Sequence, residues 1–72
     1  MKIYFLKWEL GAHRYDVCCD KQDFDGVLSD LEEEFIITRK DPSGSSCITR
    51  YYITNYYGEL QEVGYIVDMD IN

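Results

Sequence analysis

The side chains able to do chemistry fall into two sets. The first is His13 with Cys18, Cys19 and Cys47. A cysteine beside a histidine can form an activated thiolate nucleophile, and cysteines with histidine can hold zinc. A zinc site needs a fourth ligand beyond the cysteines, and His13 is the only histidine. No nucleophile elbow, Gly-rich phosphate loop or metal-ligand spacing accompanies it. Cys18 and Cys19 are adjacent, so on a strand they point to opposite faces and at most one can pair with Cys47. They read as free, reduced thiols of a cytoplasmic protein. The second set is a run of carboxylates: Asp20, Asp23, Asp25, Asp30, Glu32, Glu33 and Glu34, set against Lys21 alone. Those seven acids and one base give a net −6, while the rest of the chain has seven acids and six bases. Nearly all of the overall charge of −7 therefore sits in one segment. Such a segment performs no bond chemistry; it attracts basic surfaces at long range.

The elements that must carry these residues can be read from periodicity. Residues 2–10 alternate as a strand, with Tyr4, Leu6, Trp8 and Leu10 on the expected core face and Ile3, Phe5, Lys7 and Glu9 opposite. Gly11-Ala12 marks a turn, and residues 13–19 return with Tyr15, Val17 and Cys19 inward. From Asp20 to Phe35, the residues Phe24, Val27, Leu28, Leu31 and Phe35 follow helical spacing, with Asp20 or Asp23 as the N-cap and Gly26 on the outward face. Residues 35–40 turn β-branched and read as a third strand, and Asp41-Pro42-Ser43-Gly44-Ser45-Ser46 as a loop. Strands over 47–54 and 60–71 follow, joined by a turn at Asn55-Tyr56-Tyr57-Gly58. In the last, Val63, Tyr65, Val67, Met69 and Ile71 alternate with Glu62, Gly64, Ile66, Asp68 and Asp70. The expectation is an α+β fold: a small antiparallel sheet in ββαβββ order, with one amphipathic helix packed on one face and the other face partly open. At 72 residues, 1–72 forms a single domain with a thin core and a net stability of roughly 4–11 kcal/mol.

Within the helix, the stretch Lys21-Gln22-Asp23-Phe24-Asp25-Gly26-Val27-Leu28-Ser29-Asp30-Leu31-Glu32 resembles the calcium loop of the EF-hand family. Aspartates fall at the third and fifth places, Gly26 at the sixth, Leu28 at the eighth and Glu32 at the twelfth. The resemblance implies calcium held by Asp23, Asp25 and Glu32, but it departs at the first place, where Lys21 would repel the ion. The same twelve residues also read as an acidic helix, and on that reading neither cofactor nor metal is expected.

The acidic run works against its own helix. Glu32, Glu33 and Glu34 fall at the negative end of the macrodipole, and Asp30 faces Glu33 and Glu34 as like-charge neighbours. Residues that weaken their own element point to a functional surface. An acidic chain is a poor direct ligand for nucleic acid or an anionic membrane. The opening residues read as neither a leader peptide nor a span. In size and charge, the chain resembles small acidic α+β proteins of phage and mobile elements, such as anti-CRISPR and anti-restriction proteins, and nuclease immunity proteins. What this implies is a non-catalytic inhibitor, in the host cytoplasm if phage-encoded. Its Asp23, Asp25, Asp30, Glu32, Glu33 and Glu34 would mimic a phosphate row on the basic surface of a larger protein. Tyr56 and Tyr57 are a second expected contact, since tyrosine gives large contact area at low entropy cost. The alternative is a small homodimeric or accessory-subunit module using a Tyr-rich sheet face, with the acids serving only solubility.

Overall fold

Each turn of the chain is set by a residue suited to it. Gly11 takes φ of +62° as the first of two residues between the paired Leu10 and His13, which is the position a type II′ hairpin reserves for glycine. In the computed structural model, which describes residues 1–69, this hairpin joins β1 (Lys2–Leu10) to β2 (His13–Cys19). Helix α1 (Lys21–Glu32) follows, then β3 (Ile37–Lys40), β4 (Ile48–Thr54) and β5 (Leu60–Asp68). The fold is a five-stranded antiparallel sheet in the order β2-β1-β5-β4-β3 with one helix, the expected ββαβββ arrangement. No helix among the described residues is long and apolar enough to cross a membrane.

Helix boundaries follow local chemistry. Asp20, in extended conformation, accepts the Asp23 N–H at 2.8 Å and starts the helix. The helix ends at Glu32, three residues before the expected Phe35, and the N–H groups of Glu34 and Phe35 both donate to the Leu31 carbonyl. Two forces end it there. Three glutamates crowd the negative pole, and the following Ile36-Ile37-Thr38 is β-branched. β3 accordingly begins at Ile37, and β4 at Ile48. β5 ends at Asp68; the expected extension through Asp70 and Ile71 lies outside the described residues.

The helix is seated by one ring. Phe24 is 1% exposed and lies between Tyr4 and Tyr51, each 5.4 Å away between ring centroids. Beneath it is Gly64, where an added Cβ would come within 2.7 Å of the Phe5 carbonyl oxygen and 3.0 Å of the Phe24 ring. Ile53, 6% exposed, is the other buried hydrophobic side chain among the described residues. Tyr51 and Tyr52 take opposite faces, as a strand requires: Tyr51 meets Phe24 and Tyr52 lies under the Lys40 ammonium.

Two expectations need correction. Trp8, Leu10, Tyr15 and Val17 belong to the helix-side rows of β1 and β2 but are not core; they are 54, 67, 44 and 41% exposed. The pairing explains this. β1 leaves β5 after Leu6 pairs with Gly64, while β1 and β2 continue together to Leu10 and His13. The hairpin thus projects as an arm, beyond the reach of a twelve-residue helix roughly 18 Å long, and the molecule measures 42 × 24 × 23 Å. The simple alternation of β5 is also broken. A register shift at Tyr51/Tyr52 puts Tyr51 opposite Gly64 but Tyr52 opposite Glu62. Glu62 and Tyr65, at odd spacing, therefore share a face.

Candidate functional site

The acidic side chains separate by element. Sheet and loop acids are largely neutralised in place: Glu9 by Arg14 at 2.8 Å, Asp41 by Arg39 at 3.0 Å and Glu62 by Arg50 at 2.8 Å and Lys7 at 3.7 Å. Lys7 also lies 4.0 Å from Asp16, and the N-terminal ammonium 4.0 Å from Asp68. In the helical segment only Asp25 has an ion-pair partner among the described residues, the Lys21 ammonium one turn back. That contact holds the Lys21 pKa above its ordinary value, chiefly through the hydrogen bond to Asp25. Asp23, Asp30, Glu32 and Glu33 are exposed and have no ion-pair partner among the described residues.

Asp20 through Glu34 run on the order of 20 Å with net −6, about one charge every 3–4 Å. A single nucleic-acid strand carries about one charge per 3.4 Å. The linear charge density is comparable.

The two sets of expected contact residues meet at the helix C-terminus. The Tyr56 hydroxyl donates to a Glu34 carboxylate oxygen, and the Tyr56 ring packs on Phe35 at 5.2 Å. The carboxylate acceptor raises the Tyr56 pKa. The turn that presents Tyr56 is tied by Asn55, whose side-chain oxygen accepts the N–H groups of Tyr57 and Glu59, each at 3.0 Å, and by Gly58 at φ +78°. Tyr56 and Tyr57 are 77 and 86% exposed, and Ile36, which follows Phe35 in the chain and which the sequence did not single out, is 73% exposed. The acidic run thus ends in an aromatic and aliphatic margin. Asp23 and Asp25 lie at the other end of the helix, away from this junction.

The other chemistry-bearing residues are placed apart. His13 begins β2 at the arm tip, and Cys18, five residues along the same strand, is about 17 Å away. Cys47 precedes β4 at the opposite end of the sheet, and all three thiols are free. Cys19 is half-buried; burial first, then the Asp23 and Asp20 carboxylates, push its thiol pKa up, which disfavours the nucleophilic thiolate. The EF-hand resemblance does not survive folding. Lys21–Glu32 is a continuous helix, in which Asp23 and Asp25 diverge around the axis and cannot wrap an ion. No group of three or more potential metal ligands converges among the described residues.

The open sheet face carries a polar network that alternation alone did not reveal. Tyr65 stacks on Phe5 at 4.9 Å and donates to Asp16 at 2.6 Å, with Lys7 and Arg50 over its ring. The hydrogen bond to Asp16 is the main reason its pKa is pushed up to about 12. Where β1 and β5 diverge lies a cleft of about 530 Å³ lined by both signs of charge, including Lys7, Arg14, Asp16 and Glu62. Most of those charges are already paired with one another. The tyrosines do not form one patch: Tyr4 and Tyr51 pack on the helix, Tyr52 and Tyr65 lie on the open face, and Tyr56 and Tyr57 are in the turn. No protein family, curated protein or solved structure matches the chain.

Proposed function

We propose that this chain is a non-catalytic inhibitor that occupies the basic nucleic-acid-binding surface of a larger protein in the cytoplasm. Such a role suits an anti-defence protein of phage or mobile elements, of the anti-CRISPR type, or an immunity protein to a nuclease. One observation carries the reading. The sheet neutralises its own acids, while Asp23, Asp30, Glu32 and Glu33 stand exposed without cationic partners among the described residues. Free carboxylates along a rigid rod steer a basic partner and compete with its phosphate contacts. Tyr56, Tyr57 and Ile36 add exposed contact area at the end of that row.

The test is affinity capture from the source cell, with the natural chain and a Glu32→Lys/Glu33→Lys/Glu34→Lys variant as baits. The natural chain should retain a nucleic-acid-binding protein, double-stranded DNA or RNA should displace it, and the variant, folded by circular dichroism, should lose it. Equal retention by both baits, or a partner that nucleic acid does not displace, defeats the reading.

A further inference from the structure

The sheet has two edges, and only one is guarded. β3 is four residues long, ends in Arg39-Lys40 and is followed by Pro42. Shortness, cationic side chains and proline are common protections against edge-to-edge pairing. β2 has seven residues, no proline and an unbroken register with β1. Its helix-side residues Tyr15 and Val17, with Trp8 and Leu10 behind them on β1, form the exposed apolar face of the arm.

We propose that the β2 edge pairs antiparallel with the β2 edge of a second copy of this chain, in the register centred on Tyr15. Side chains opposite one another across an antiparallel pair must share a face, so a two-fold axis through the ladder passes through a residue position. Centring on Asp16 sets two carboxylates against each other, and centring on Arg14 sets two guanidiniums together. Centring on Val17 leaves Asp16 facing Cys18 and drives the helix start toward the other hairpin. Centring on Tyr15 places Arg14 opposite Asp16 of the second copy, twice by symmetry. It also sets Tyr15 on Tyr15, with Val17 beside His13. Both groups remain partly exposed, the Arg14 side chain 81% and that of Asp16 39%, although Arg14 also pairs with Glu9 and Asp16 accepts from Tyr65 within the same chain, so the new contacts extend existing pairs. The product is a ten-stranded sheet with both helices on the same side.

The expected strength follows from the area. A fully buried aromatic covers about 150–250 Å², so the four partly exposed side chains set an upper bound on the order of 400 Å² per copy, with Tyr15 and Val17 on the pairing strand and Trp8 and Leu10 one strand behind it. A standard stable interface takes about 800 Å² per partner. Main-chain pairing and two ion pairs add to this, and the dimer belongs in the micromolar range.

Sedimentation equilibrium of the full chain, reduced, over about 10–500 µM should show monomer–dimer exchange. Arg14→Glu should weaken association at least tenfold, whereas Arg14→Lys should largely retain it, with both variants checked for an unchanged circular dichroism spectrum. Register is read by crosslinking with Cys18, Cys19 and Cys47 replaced by Ser. Tyr15→Cys places two thiols directly opposite, within disulfide reach, while Val17→Cys places them about 13 Å apart. With diamide as the two-electron oxidant, Tyr15→Cys should give a covalent dimer and Val17→Cys should remain monomeric. A monomer throughout the concentration range overturns the proposal. Crosslinking at Val17 in place of Tyr15, or indifference to Arg14→Glu, overturns the register.

Discussion

Gly64 and Tyr65 are neighbours that serve opposite faces of the sheet. Gly64 leaves the space into which Phe24 packs, and an added methyl would sit 2.7 Å from a backbone oxygen that cannot move aside. Gly64→Ala should cost about 1–3 kcal/mol, read as a lower urea midpoint with an unchanged slope. In so small a domain that is a large fraction of the total. Tyr65 acts through its proton. Its folded-state pKa of about 12 lies above the ordinary value near 10, so the neutral phenol is favoured by the fold. The contribution is fully present below pH 10 and is lost as pH rises through 12. Comparing melting of the natural chain with Tyr65→Phe between pH 9 and 12 isolates this effect from lysine titration: the difference should shrink across that window. A constant difference would mean that the hydroxyl–Asp16 bond is not linked to stability.

At the scale of elements, the helix and the arm show opposite imbalances. The helix has no basic residue in its last turn, where three glutamates meet the negative pole. Glu32→Lys and Glu33→Lys should each raise stability by about 0.3–1 kcal/mol at low ionic strength, while weakening capture of a basic partner. Opposite signs in the two measurements distinguish a surface kept for recognition from one kept for folding. A loss of stability would show that these carboxylates support the helix. The arm has the reverse problem, apolar side chains without a covering element, because its strands continue after β5 has left β1.

For the whole molecule, net charge and a thin core act together. Phe24 and Ile53 are the only buried hydrophobic side chains among the described residues, and −6 of the −7 charge lies on the helix and its flanking residues, Asp20 to Glu34. Self-repulsion there should respond to screening. Raising sodium chloride from about 0.02 to 0.5 M should increase the melting temperature, because the Debye length falls from tens of ångströms to a few. The Glu32→Lys/Glu33→Lys chain should show a smaller rise. If salt lowers both melting temperatures equally, the sheet's ion pairs outweigh helix repulsion.

Local periodicity determined the element order, the presence of the helix with a cap at Asp20 or Asp23, the Gly11 and Gly58 turns, and the segregation of negative charge, because each depends on residues near one another in the chain; the structure decided for Asp20. Strand order, the β5 register shift, the Gly64 cavity for Phe24 and the Glu34–Tyr56 contact depend on residues far apart in sequence. The exposure of Trp8 and Leu10 is the clearest case. Alternation established which face of the strand they share, but whether that face is covered depends on where β5 ends its pairing and how far the helix reaches. Side-chain period is a property of one strand; burial is a property of what packs against it.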